Sequence, residues 1–133
     1  MNLLETEKSN FDVIYQTQNS IKEKIESVAR IVYGANNVNF TEEALAQMKE
    51  IEKNNMDKLP VCIAKTQYSL SDNPKLLGRP KDFDITIREL RLSNGAGFIV
   101  ALAGSIMTMP GLPKIPAANN MDITEDGIIT GLF

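Results

Sequence analysis

Lys65, Thr66, Gln67 and Tyr68 stand in a row directly after the apolar run Val61–Ala64. They offer an ammonium, a hydroxyl, an amide and a phenol, a set able to hold a polar ligand. In α/β sheets such groups border ligand sites when they follow the C-terminal end of a strand. An ordinary polar exit loop reads the same way, and the residues alone leave both readings open. Further on, Leu76-Leu77-Gly78-Arg79-Pro80 pairs a permanent cation with a ring that stiffens the backbone. The segment Met107 to Pro113 is stiffened by Pro110 and Pro113, with Gly111 between them free to make the turn. Such a loop can wall a flat ring or pack on a neighbouring surface. Irregular backbone of this length is seldom ordered unless a ligand or a partner uses it.

The remaining chemistry is sparse. The chain has no histidine, which removes Ser-His-Asp and Cys-His catalysis and histidine-ligated zinc. Its one cysteine, Cys62, allows neither an intrachain disulfide nor a thiolate cluster, and inside an apolar run it reads as a small core residue. Asp82 with Asp84, and Asp122 with Glu125 and Asp126, read as strand-face and turn charges. No Gly-x4-Gly-Lys-Ser/Thr phosphate loop occurs. Gly95-Ala96-Gly97 precedes an apolar run instead of following one, so it reads as a tight turn and not a dinucleotide fingerprint. No catalytic residue and no metal-ligand set can be named within these residues.

The chain of 133 residues is long enough for one core, with 43% apolar and 23% charged residues. A net charge of −3 with dispersed Lys and Arg argues against nucleic acid as a partner. No apolar run approaches the roughly 20 residues of a spanning helix, so no membrane partner is expected. The start of the chain lacks the basic-then-apolar order of a signal peptide. Together with the lone cysteine, this fits a cytoplasmic location.

The elements that position these groups follow from periodicity. Residues 1–19 are weakly patterned, with Phe11, Val13, Ile14 and Tyr15 as an apolar cluster, and read as an N-terminal arm. Residues 20–133 read as a single domain. Ser20 and Glu23 form a capping box that starts a helix, with Ile21, Ile25, Val28, Ala29 and Val32 on one face. Lys22, Lys24 and Glu26 fall on its solvated side, and Gly34 ends it. Thr41 caps a second helix striped by Leu45, Met48 and Ile51, which ends at Lys53-Asn54-Asn55. Val61–Ala64 reads as a strand buried on both faces. Phe83, Ile85 and Ile87 alternate with polar residues, and Leu90 and Leu92 continue in the other register, which predicts a bulge near Arg88 and Glu89. Phe98–Ala103 is a second buried run. Asp126-Gly127 predicts a hairpin turn, and the apolar ending predicts a packed C-terminus. The fold class is α+β (or α/β), with two N-terminal amphipathic helices packed on a small mixed sheet.

Several segments closely resemble the C-terminal region of formate–tetrahydrofolate ligases. They are Ser20–Ile25, Leu59–Ser69, Leu76–Pro80, Gly95–Phe98, Ile106–Lys114 and the ending from Glu125 to Phe133. The resemblance covers roughly residues 20–133. It implies an ATP-dependent, multi-domain, oligomeric enzyme of one-carbon metabolism that joins formate to tetrahydrofolate through formyl phosphate. ATP and magnesium would serve the intact enzyme, with no cofactor expected on this chain alone. It further implies that the chain is the last portion of that enzyme, from a truncation or a split gene. The partner would be the N-terminal catalytic portion, which carries the phosphate loop, and the chain alone would be inactive. Lys65, Gln67, Gly78, Arg79 and Pro80 would then help wall the nucleotide site at its adenine end. The other reading is an inactive orphan module that binds a nucleotide or a partner chain. Self-association is expected through the Met107–Pro113 loop or the Phe11–Tyr15 arm, both apolar without a period of their own.

Overall fold

The structure is a computed structural model that describes residues 6, 8, 10–106 and 114–131. Helix α1 spans Ile21–Ser27 and continues as a π-helical stretch, Val28–Tyr33. Strand β1 (Val38–Phe40), helix α2 (Glu42–Lys53) and strand β2 (Val61–Ala64) follow. Strands β3 (Ile85–Ser93) and β4 (Phe98–Ala103) complete a four-stranded mixed sheet in the order β1-β3-β4-β2. A short 3₁₀ turn at Ala117–Asn120 leads into a separate two-stranded hairpin of β5 (Asp122–Ile123) and β6 (Ile129–Thr130). The fold is α+β. The Met107–Pro113 loop and the last two residues lie outside the described residues.

The capping box forms as its residues predict. The Glu23 amide donates to Ser20 Oγ (3.2 Å), and the Ser20 amide donates to the Glu23 carboxylate (2.8 Å). Gly34 terminates the helical run with φ 79°, a left-handed conformation that glycine adopts without strain. Val32, expected on the buried face, is exposed instead. The i→i+5 bonding of the π stretch widens the turn and shifts the phase. Ala29 stays buried while Ile31 and Val32 rotate to solvent, and Ala35 enters the core after the glycine.

Lys24 also departs from the sequence reading. It is fully buried, not solvated, and its ammonium donates to the carbonyls of Asp57 (2.6 Å) and Leu59 (3.1 Å). Burial pushes its pKa down, with Asp57 opposing. The lysine ties α1 to the turn that leads into β2.

In α2, Thr41 Oγ1 accepts from the Ala44 amide (3.2 Å). Its buried face is Ala44, Met48 and Ile51, while Leu45, expected in the stripe, is exposed.

Both helices pack on one sheet face. Ile21, Ile25, Ala44, Met48 and Ile51 meet Ile85, Ile87, Leu90, Ile99 and Ala101 in a single cluster. The register between β3 and β4 shifts between Ile87 and Glu89, so the bulge lies where the change of alternation puts it and returns Leu90 to the core face. Beyond the short β1, the outer edge of β3 is capped by a side chain: Gln47 Oε1 accepts from the Leu90 amide (2.6 Å). Strand β4 is central and buried, as expected. Strand β2 is not buried on both faces. It is one edge of the sheet, with β1 at the other, and Cys62, on the face away from the helices, is exposed rather than a core residue. Tyr15 of the N-terminal segment reaches this edge, where its hydroxyl accepts from the Val61 amide (3.0 Å).

Candidate functional site

The chain leaves β2 at Ala64 and enters a long loop that returns to β3 at Ile85. Short-range bonds give this loop its shape. Ser69 Oγ accepts from the Ser71 amide (3.0 Å), and Ser71 Oγ accepts from the Asn73 amide (3.1 Å). These are the turns that hydroxyl side chains favour over regular structure. Both serines are buried. Asp72 Oδ2 accepts from the Thr86 amide (2.9 Å), which fastens the loop to β3. The two arms of the loop then pair. The Gly78 amide donates to the Tyr68 carbonyl (2.9 Å), and the Leu70 amide donates to the Gly78 carbonyl (2.8 Å).

This pairing brings four of the five sequence candidates together. Lys65, Gln67, Gly78 and Arg79 line one open cleft of about 380 Å³, which Tyr68 shares. Pro80 is separated from them. It lines an adjoining cleft of about 470 Å³ with Gly34, Asn36, Lys81 and Asp82. Arg79 stands in the wall of both clefts.

The two cations differ sharply. The Lys65 ammonium is turned into its own loop, where it donates to the carbonyls of Ser69 and Thr66 (3.2 Å to the latter). It also sits 4.9 Å from the centre of the Tyr33 ring, a cation–π contact. Burial pushes its pKa down, and the Asp72 carboxylate opposes that shift. The Arg79 side chain is exposed and makes no hydrogen bond or ion pair among the described residues. It lies against the bare backbone of Gly34, where even a Cβ would come within 3.8 Å of the guanidinium.

Tyr68 is held as firmly as its neighbours, yet presents its ring outward. Its amide donates to Thr66 Oγ1 (3.3 Å) and its carbonyl accepts from Gly78, while the side chain is 61% exposed. The sequence places this phenol with the polar groups after the strand but not among the five nucleotide-site residues, and an ordinary polar exit loop reads the same way. For Gly34 the residue order carries no signal beyond a helix stop. The apposition of Gly34 and Arg79 depends on where α1 ends in space.

No three histidine, cysteine or acidic side chains converge on a point that could hold a metal ion among the described residues. No described helix is long and apolar enough to cross a membrane. The arrangement suits non-covalent recognition: an exposed cation, an exposed aromatic ring and a pre-shaped polar loop. A family model described as formate–tetrahydrofolate ligase matches residues 1–133, the whole chain.

Proposed function

The chain belongs to the formate–tetrahydrofolate ligase family, and on that premise we propose that it serves as the C-terminal portion of an ATP-dependent enzyme joining formate to tetrahydrofolate to give 10-formyltetrahydrofolate. Its part is to wall the adenine end of the nucleotide site, while the phosphate loop is carried by residues outside these 133. The observation that carries this reading is the cleft where Lys65, Gln67, Gly78 and Arg79 converge, with Pro80 just beyond Arg79. Within it the roles divide. Lys65 fixes the shape of the loop through carbonyls of its own segment. Gly78 supplies backbone pairing, Gln67 an exposed amide and Pro80 a rigid shoulder. Arg79 supplies the uncompensated charge.

Phosphoryl transfer needs a cradle for the β- and γ-phosphates and their metal ion. The phosphate-loop motif does not occur in these 133 residues. The chain alone is therefore expected to bind without turning over. A turnover assay on the purified chain with ATP, formate and tetrahydrofolate tests this. Product formation at about 1 per second, an ordinary enzymatic rate, would contradict it.

A further inference from the structure

We infer that the Tyr68 ring is the surface on which the nucleotide's base stacks and that Arg79, in the wall of the same cleft, takes the phosphate nearest the nucleoside, the outer phosphates falling to the loop outside these residues. The inference rests on the nucleotide reading of the cleft and assigns its two ends. Its first support is the state of Tyr68. The Tyr68 residue is 61% exposed on a backbone held at both its amide and its carbonyl, so its ring is open to a ligand and the backbone that carries it needs no further ordering on binding. A base stacks on such a ring through its π face, with little dependence on which base it is.

The second support is the division of charge across the cleft. Lys65 and Arg79 both line it, but the Lys65 ammonium is engaged with two carbonyls and the Tyr33 ring. Arg79 is the cation in the cleft without a partner among the described residues. Its planar guanidinium presents parallel N–H groups that match two phosphate oxygens. Base and phosphate thus meet different residues, which makes the two ends separable by experiment.

The experiment is a calorimetric titration of the 133-residue chain with ATP, adenosine and tripolyphosphate, repeated on Tyr68→Ala, Tyr68→Phe and Arg79→Gln. Tyr68 and Arg79 are exposed, so these variants are expected to fold, and an unchanged amide spectrum verifies that. Tyr68→Ala should weaken ATP and adenosine by about tenfold or more and leave tripolyphosphate unchanged. Tyr68→Phe should bind ATP like the parent, because it keeps the ring. Arg79→Gln should weaken ATP and tripolyphosphate but not adenosine. If ATP binds the parent and Tyr68→Ala equally well, the stacking assignment is overturned and the nucleotide reading stands. If the parent binds neither ATP nor tripolyphosphate at millimolar concentration, the nucleotide reading fails and this inference falls with it.

Discussion

Ser20 joins local chemistry to stability at a single position. Its hydroxyl satisfies one free amide at the start of α1, and Glu23 satisfies the Ser20 amide in return. Replacing it with alanine should cost about 1 kcal/mol, the usual worth of an N-cap, read as a lower denaturation midpoint at unchanged slope. A pH signature accompanies it. The Ser20 backbone and side-chain bonds hold the Glu23 carboxyl below its ordinary value of 4.5. A depressed folded-state pKa gives stability that is present above the unfolded value and is lost as pH falls through the folded one. The gap between parent and Glu23→Ala should therefore be full at neutral pH and narrow in acid below that value. Denaturation midpoints of both proteins at neutral and acidic pH check this, and a gap that stays constant would contradict it. Ser20 and Glu23 were legible because a capping box is a local signal. Lys24 was not, since its burial depends on two carbonyls more than thirty positions away in the chain.

Among the elements, the loop between β2 and β3 depends on one close approach at the end of β4. Gly104 has φ 64°, and a Cβ there would lie 2.4 Å from the Asp72 carbonyl oxygen. Gly104→Ala combines left-handed strain with a backbone clash, so it should destabilise by more than about 2 kcal/mol. It should also release the Asp72 clamp on Thr86, raising hydrogen exchange at the Thr86 amide. Gly95, with open space around its Cα, is the control. Gly95→Ala should stay within about 0.5 kcal/mol. Equal effects for the two glycines would refute the close-approach argument. At this scale periodicity served well for β3 and its bulge, because a change of alternation is written in the residue order. It could not separate β2 from β4. Both are short apolar runs, and which one becomes the sheet edge depends on strand order, which a single run does not encode. The exposed Cys62 follows from that.

The molecule as a whole leaves apolar side chains in water at two ends. Phe11, Val13 and Ile14 are exposed in the N-terminal segment, and Ile123, Ile128 and Ile129 in the C-terminal hairpin. Grouped exposure of this kind tends to be covered by association. The purified chain is expected to self-associate, with Ile14→Glu shifting it toward monomer. Sedimentation at micromolar concentration measures both, and a monomeric parent would contradict the expectation. The family was legible from the wording of the loops, and four of five candidate residues do share a cleft. The separation of Pro80 and the inward turn of Lys65 were not legible, because both depend on how the paired arms of the loop cross in space.

The central claim is that these residues complete a ligase whose phosphate machinery lies outside them. The most direct measurement mixes the chain with a family polypeptide that carries the phosphate loop but lacks this region. Formation of 10-formyltetrahydrofolate is then followed for each component and for the mixture. The account predicts no turnover from the 133-residue chain alone and turnover in the mixture well above that of the other polypeptide. Turnover by the chain alone, or a mixture no faster than the phosphate-loop polypeptide by itself, would contradict it.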